Sequence, residues 1–264
     1  MTIDAGREID WGRTSRDYAR HRPGPPESFY ARLKAHGIGL PDQRLVDLGT
    51  GTGLLAREFA RRGCRVSALD VSPEQIGAAR QLASEEALDV DFRIAPAEET
   101  PFAAGRFDIV TANQCWPYFD LERLIPELRR ILVPEGLLVV SHFSFLPRLD
   151  PVARASERLV LKFNPDWEGA DWDGHLLARP GWSREAFDLR VMFWYDEPIE
   201  FTRESWRGRF RALRGVGATL AEDEVRAFDS EHAALLERIT EERFRVLHRI
   251  HASVFAFRGE PDTD

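Results

Sequence analysis

The sequence predicts an α/β fold in which a doubly wound, seven-stranded and mostly parallel sheet carries a helical cap inserted among its later strands. In the first half of the chain, short β-rich runs alternate with segments of helical spacing, which is typical of parallel strands joined by crossover helices. In the second half, a long segment of helical spacing separates two further β-rich runs. The 264 residues suit one domain with an attached subdomain, because domains average roughly 150 residues.

The first half accounts for five strands and the helices between them. Ser72 is a natural N-cap and Pro73 suits the first helical position, so a helix begins there. From Asp120, leucine and isoleucine recur at helical spacing until V-P-E-G at 133–136 stops the helix. Other helices are expected after Pro25 and from Leu54. The predicted strands are Arg44–Leu48, Arg65–Leu69, Val90–Ile94, Phe107–Ala112 and Leu137–His142.

The second half supplies the last two strands and the cap. Bulky residues over Arg190–Tyr195 predict the sixth strand, and alternation over His251–Phe257 predicts the seventh. Residues 203–247 have apolar side chains at helical spacing, whereas Asn164–Trp182 resembles a loop. We therefore expect a single domain over 1–264, with its parts as follows: a core of 25–143 plus strands near 190–200 and 250–258, and a cap of 144–185 and 201–247.

Charge and cysteine content narrow the classes of function. The formal net charge is −8, with 36 basic and 44 acidic residues, whereas nucleic-acid binding usually needs a concentrated basic face. No apolar run approaches the roughly 20 residues that span a bilayer, and the opening residues do not form a secretory signal. Cys64 and Cys115 are the only cysteines, and the histidines are dispersed. We expect a cytoplasmic protein with no metal, no membrane and no nucleic-acid partner.

The strongest chemical signal is the glycine-rich turn after the first strand. Gly49, Gly51 and Gly53 alternate in a G-x-G-x-G pattern that Asp47 precedes. Glycines let the backbone turn sharply and let a ligand approach the main chain. The dinucleotide pattern G-x-G-x-x-G requires glycine where Leu54 stands, and the lysine of a phosphate loop is missing. The turn is therefore suited to a ligand other than a pyrophosphate.

An acidic residue stands where a ribose would be held. Asp70 ends the second strand, 17 residues after Gly53. An acid at this position can accept hydrogen bonds from both hydroxyls of a ribose. Together, the turn and this acid indicate a nucleoside that bears something other than phosphates.

Several separated motifs, in order along the chain, resemble the class I S-adenosylmethionine-dependent methyltransferases. The motifs are V-D-L-G-T-G-T-G at 46–53, A-P-A-E-E-T-P-F at 95–102, R-F-D-I-V at 106–110 and L-V-P-E-G at 132–136. N-Q-C-W-P-Y-F-D at 113–120 is similar to a bacterial small-molecule branch, except that Pro117 and Tyr118 stand where that branch has histidine and an aromatic residue. The resemblance covers about residues 18–145. It implies a Rossmann-like sheet and S-adenosylmethionine as the cofactor.

The resemblance also implies which residues would bind the cofactor. The loop backbone would border the methionine part, Asp70 the ribose, and Val71, Ala97 and Glu98 the adenine. Asn113 follows the fourth strand at the methionine end of the cofactor. Tyr18, Arg20 and Arg22 precede the first helix, in a region that folds over the cofactor carboxylate in similar enzymes. The full cofactor set is Arg22, Asp47, Gly49, Thr50, Gly51, Gly53, Asp70, Val71, Ala97, Glu98 and Asn113.

His142 and Trp116 are the candidates on the acceptor side. His142 ends the predicted fifth strand, at the edge where such sheets bind ligands, and can act as a general base or as a hydrogen-bonded strand end. Trp116 would line the acceptor pocket or pack in the core. Methyl transfer from a sulfonium mainly requires alignment and exclusion of water. This fits a sequence that shows no multi-residue catalytic pattern.

The expected function is therefore S-adenosylmethionine-dependent methyl transfer to oxygen, nitrogen or carbon of a small-molecule acceptor, by in-line displacement. One alternative is a nicotinamide-dependent oxidoreductase on a similar sheet, against which Leu54 and the glycine spacing argue. The other is a non-catalytic protein that binds the cofactor or a partner. The sequence leaves the acceptor and the oligomeric state open.

Overall fold

A computed structural model of the chain describes residues 3–4, 6–10, 12–14, 17 and 20–258. The strands are β1 (Ile3–Asp4), β2 (Arg7–Glu8), β3 (Arg44–Leu48), β4 (Arg65–Asp70), β5 (Val90–Ile94), β6 (Phe107–Asn113), β7 (Leu132–Phe145), β8 (Phe187–Thr202) and β9 (Arg243–Phe257). The helices are α1 (Glu27–Ala35), α2 (Leu54–Arg61), α3 (Pro73–Glu85), α4 (Leu121–Ile131), α5 (Pro151–Phe163), α6 (Ser183–Ala186), α7 (Arg203–Arg211) and α8 (Glu222–Ile239).

Seven of these strands form one sheet in the order β5-β4-β3-β6-β7-β9-β8. The strands from β5 to β7 along this order run parallel, and Val46 of β3 lies between Ser67 of β4 and Val110 of β6. Helices α5 to α8 are inserted among β7, β8 and β9 in chain order. The prediction of a seven-stranded, mostly parallel sheet with helices among its later strands is therefore confirmed. Strands β1 and β2 pair separately as an antiparallel hairpin.

Local chemistry explains where the helices that border the sheet begin. The hydroxyl of Ser72 accepts a hydrogen bond from the Gln75 amide at 3.2 Å, and Pro73 is the first residue of α3. Asp120 similarly caps α4. The buried face of α4 consists of Leu124, Leu128 and Ile131, as the helical spacing predicts.

The later strands are longer than the sequence predicts. Residues 243–247 were expected to be helical, and this prediction is wrong because they begin β9. The sequence R-F-R-V over 243–246 alternates polar and apolar side chains, which is a strand period. Strand β7 extends to Phe145, so His142 lies inside this strand and does not end it.

The chain divides into two compact units. We call Pro25–Phe143, Leu176–Tyr195 and Ile250–Asp264 the core unit. Met1–Gly24, Ser144–His175 and Asp196–Arg249 form the insert unit. Each unit has its own buried apolar cluster. No helix in the described part of the chain is both long and apolar enough to cross a membrane.

Candidate functional site

The glycine turn between β3 and α2 has a backbone that only glycine adopts readily. Gly49, Gly51 and Gly53 have φ angles of +59°, +56° and +76°, in the left-handed region that disfavours a side chain. A Cβ atom at Gly49 would lie 2.8 Å from the Cβ of Cys115. A Cβ atom at Gly53 would lie 3.1 Å from the ring of Phe92. The turn therefore packs so closely against Cys115 and Phe92 that side chains do not fit at Gly49 or Gly53.

Asp47 stabilises this turn through hydrogen bonds of its side chain. Its buried carboxylate accepts hydrogen bonds from the hydroxyl of Thr50 at 2.6 Å and from that of Thr111 at 2.7 Å. Burial raises the pKa of Asp47 to about 6, although both hydroxyls favour the ionised form. Because Thr111 belongs to β6, Asp47 connects the turn to the neighbouring strand.

Asp70 lies at the end of β4, beside the same turn. Its carboxylate accepts a hydrogen bond from the Gly51 amide at 2.9 Å and another from the Ser72 amide at 3.0 Å. A carboxylate has about four acceptor positions, so two positions remain for a ligand. Asp70 is half-buried and therefore accessible from solvent.

Apolar side chains are exposed next to Asp70. Val71 is 69% exposed and Ile94 is 51% exposed. Ile94 pairs directly with Asp70 across the β4–β5 ladder. Ala97, a few residues further along the chain, is buried. Large exposed apolar groups beside a carboxylate offer a surface on which a flat ring can pack.

Glu98 has a structural contact. Its carboxylate accepts a hydrogen bond from the backbone amide of Asp120 at 2.9 Å. Asp120 in turn caps the first turn of α4. Glu98 is half-buried, and it supports the beginning of that helix.

The segment that follows β6 has an unusual backbone. Asn113 accepts a hydrogen bond from the Ser141 hydroxyl at 3.0 Å. Gln114 then has a φ angle of +60°, which non-glycine residues adopt at a cost and which recurs at functional sites. This strained turn directs the next residue toward the glycine turn.

That next residue is Cys115, which the sequence did not identify as part of the site. Its thiol donates to the Leu48 carbonyl at 3.1 Å. Burial and the carboxylates of Asp47 and Asp70 raise the pKa of the Cys115 thiol well above its usual range. The thiol is therefore neutral and serves as packing. Only the long-range contact with Gly49 reveals this role, so no local sequence pattern could have identified it.

The two acceptor-side candidates also lie in the core unit. Trp116 is 8% exposed, belongs to the buried cluster, and has its ring centroid 4.5 Å from that of Trp182. Its indole Nε1 has no hydrogen-bond partner among the described residues. His142 is half-buried on β7, one residue beyond Ser141.

Most of the predicted cofactor residues share the core unit, but the N-terminal candidates do not. Arg20 and Arg22 belong to the insert unit, and Tyr18 lies outside the described residues. Among the residues that the structure describes, no group of three or more histidine, cysteine or acidic side chains is arranged to hold a metal ion.

Comparisons with known proteins agree with this arrangement. A family model described as a methyltransferase domain matches residues 46–140. The ubiquinone biosynthesis O-methyltransferase of a Caulobacter species is 30% identical over 151 residues, which cover 54% of this chain and 60% of that protein. The uncharacterised methyltransferase Rv3342 of Mycobacterium tuberculosis is 36% identical over 132 residues, covering 49% of this chain and 50% of the relative. The matched regions span about half the length of these curated relatives.

Solved structures share the fold over most of the chain. A protein from Anaeromyxobacter dehalogenans that bears a methyltransferase name superposes with a TM-score of 0.61 at 23% identity, covering 89% of this chain and 96% of that one. YjhP of E. coli gives a TM-score of 0.54 at 18% identity, covering 93% and 99% of the two chains. At these identities the likeness concerns the fold alone.

Proposed function

Because the chain belongs to the class I S-adenosylmethionine-dependent methyltransferases, we propose that it transfers a methyl group from S-adenosylmethionine to a small-molecule acceptor. One observation carries the proposal: the half-buried carboxylate of Asp70 lies beside a glycine turn that is too crowded for side chains. This combination suits a nucleoside whose substituent lies along the backbone of the turn.

The residues present fit this cofactor. Two acceptor positions of the Asp70 carboxylate remain for the two ribose hydroxyls. The exposed side chains of Val71 and Ile94 offer apolar contact for the adenine ring, beside buried Ala97. The methionine part would lie along the backbone of the glycine turn and extend toward Asn113, the last residue of β6. Asp47 and Thr50 keep the turn in shape for this ligand.

The proposed reaction asks for alignment more than for catalytic groups. When bound, the cofactor supplies a methyl carbon on a positively charged sulfur. In-line displacement on this carbon by the acceptor atom would break the sulfur–carbon bond and release a neutral thioether. The core unit would hold the acceptor in line and exclude water. An acceptor hydroxyl must also lose a proton, and we assign that proton to His142.

An oxygen atom is the favoured acceptor atom, because several relatives carry the name O-methyltransferase. The family match over residues 46–140 ends before the helices α5, α7 and α8. We therefore propose that residues 144–185 and 201–247 select the acceptor.

A labelled-methyl assay tests the proposal. Purified protein is incubated with methyl-labelled S-adenosylmethionine and a panel of phenols, carboxylates and amines, and labelled product is counted. At cofactor concentrations below saturation, Asp70→Ala should lower the rate of transfer at least about tenfold, whereas the exposed control variant Asp89→Ala should retain it. No transfer to any acceptor, together with saturable binding of a nicotinamide cofactor by fluorescence, would favour the oxidoreductase alternative. Cofactor binding without transfer would favour a binding protein.

A further inference from the structure

The direction of β9 determines which residues face His142. Strands β7 and β9 are neighbours in the sheet, and the Leu146 amide donates to the Leu247 carbonyl at 3.0 Å. If the two strands were parallel, residues 248–257 would have to pair with the segment after Leu146, where α5 begins at Pro151. The strands must therefore be antiparallel, because only β7 itself is available as a partner.

This direction sets the register. In an antiparallel pair, each step back along one strand matches one step forward along the other. His142 lies four residues before Leu146, so it faces His251, which lies four residues after Leu247. Directly opposite side chains share one face of the sheet, with Cβ atoms about 5 Å apart.

Contacts elsewhere on the two strands agree with this register. It pairs Phe145 with His248, and their ring centroids are 6.2 Å apart. It also pairs Leu138 with Phe255, which belong to the same buried cluster of the core unit.

His251 is arranged as a hydrogen-bonding group. It is only 7% exposed, and its Nε2 lies 2.9 Å from the hydroxyl of Ser253. Burial lowers the pKa of His251 to about 4, so its imidazole is neutral near pH 7. Its Nδ1 makes no hydrogen bond within the described part of the chain. A neutral imidazole held at one nitrogen can offer the other to a ligand.

The surroundings of this pair are aromatic and lie at the ligand-binding edge. Phe255, two residues after Ser253, has its ring centroid 5.1 Å from that of Trp182, which also contacts Trp116. His142 follows Ser141, the residue that pairs with the last residue of β6. Ligands bind at this end of parallel strands, which is also the end that carries the glycine turn.

We propose that His251, held by Ser253 opposite His142, completes a two-imidazole site that binds the hydroxyl group of an aromatic acceptor. The inference rests on the proposed methyl transfer and deepens it, because it names the acceptor class and a second acceptor-binding residue. His251 faces His142 and hydrogen-bonds the acceptor oxygen. The aromatic ring of the acceptor packs against the aromatic side chains nearby.

Calorimetry with a matched pair of probes tests this site. Protein saturated with S-adenosylhomocysteine is titrated with 4-ethylphenol and with 4-ethylanisole, in which a methyl group replaces the hydroxyl hydrogen. We expect 4-ethylphenol to bind at least about fivefold more tightly. His251→Gln should weaken 4-ethylphenol binding about tenfold, the equivalent of about 1.4 kcal/mol, and leave S-adenosylhomocysteine affinity within about twofold. His248→Gln is the control, because it removes a buried histidine from the opposite face of β9.

Ser253→Ala is a second variant, which keeps the imidazole of His251 but removes the hydrogen bond that holds it. We expect about threefold weaker 4-ethylphenol binding and an unchanged affinity for S-adenosylhomocysteine. Equal binding of the two probes, no 4-ethylphenol binding, or equal losses in His251→Gln and His248→Gln would overturn the inference while the proposed methyl transfer stands. If S-adenosylhomocysteine itself does not bind, the proposed function fails and this inference fails with it.

Discussion

Asp70 accepts a hydrogen bond from the Gly51 amide at 2.9 Å, across 19 residues of sequence. This bond connects the end of β4 to the turn that follows β3, so the two features that indicate a nucleoside are physically one unit. Asp47 performs the same task from the other side through Thr50 and Thr111. The turn is therefore shaped before any ligand arrives, which lowers the entropy cost of binding.

Replacement of Gly49 by alanine should destabilise the protein. The positive φ angle and the approach to Cys115 act together, and strain of this kind costs about 1–3 kcal/mol. Gly77 provides the control, because it lies inside α3 with open space around it. Gly77→Ala should stabilise the protein by roughly 0.5–1 kcal/mol. Urea unfolding of both variants measures the difference, and a Gly49→Ala variant as stable as Gly77→Ala would contradict this view of the turn.

Much of the cofactor half of the fold could be predicted because its signals are local. Strands β3 and β5 have the predicted bounds, and Ser72 caps α3 as expected. Each of these features depends on residues within a few positions of one another. The glycine turn is local in the same sense, since its residue types follow from its own backbone angles.

The remainder depends on contacts between residues far apart in sequence. Cys115 is part of the site because it contacts Gly49. His251 is part of the proposed site because it lies opposite His142 on the neighbouring strand. Strand β9 also begins earlier than predicted, because a polar and apolar alternation near Val246 adjoins the helical pattern of α8. Composition and spacing carry no signal for these register-dependent pairs.

The stability of the insert unit should depend on pH through Glu157. Burial raises the pKa of this carboxyl to about 7. The carboxylate accepts a hydrogen bond from the Asp171 amide at 2.9 Å, which partly opposes the shift. The folded state then holds an extra proton between about pH 4.5 and 7, so stability falls as pH rises through this window. Glu157→Gln should be more stable than wild type at pH 8, by at most about 3 kcal/mol. At pH 4.5, urea unfolding should give wild type and Glu157→Gln the same free energy of unfolding. The same stability difference at both pH values would show that Glu157 does not cause the pH dependence.

Buried histidines should make the protein sensitive to acid. His232 is fully buried, and burial lowers its pKa to about 4. The Ser156 hydroxyl accepts a hydrogen bond from the Trp206 indole and lies 2.9 Å from Nε2 of His232, a hydrogen bond that a neutral imidazole can make. Since the unfolded chain binds the proton more readily, stability is lost as pH falls from about 6.5 to 4.

The variant His232→Gln should show a shallower loss of stability in that range. The variant lacks the pH-dependent contribution of His232 to the free energy of unfolding, which is at most about 3 kcal/mol. Thermal midpoints of wild type and His232→Gln are measured from pH 7 to 4, and the change of midpoint with pH is compared between the two proteins. Parallel slopes would mean that His232 does not contribute to acid unfolding.

Asp150 should be a strong stabilising residue away from the proposed site. One carboxylate oxygen accepts from the Val152 and Ala153 amides at the start of α5, and the other accepts from the Leu247 amide, all at 2.9 Å. Asp150→Ala removes a helix cap and leaves a strand amide unpaired, for a cost of about 2–4 kcal/mol. The control Glu231→Ala, inside α8, loses only an exposed ion pair with Lys162 and should cost under about 1 kcal/mol. Equal losses in urea unfolding would contradict the assignment.

Titration calorimetry with S-adenosylhomocysteine measures whether the glycine turn and Asp70 bind a nucleoside cofactor. We expect one saturable site per chain in wild type and in Asp89→Ala. Affinity should be at least about tenfold weaker in Asp70→Ala, whose two lost ribose hydrogen bonds are worth about 1–3 kcal/mol. No heat of binding in wild type, or equal affinity in Asp70→Ala, would contradict this expectation.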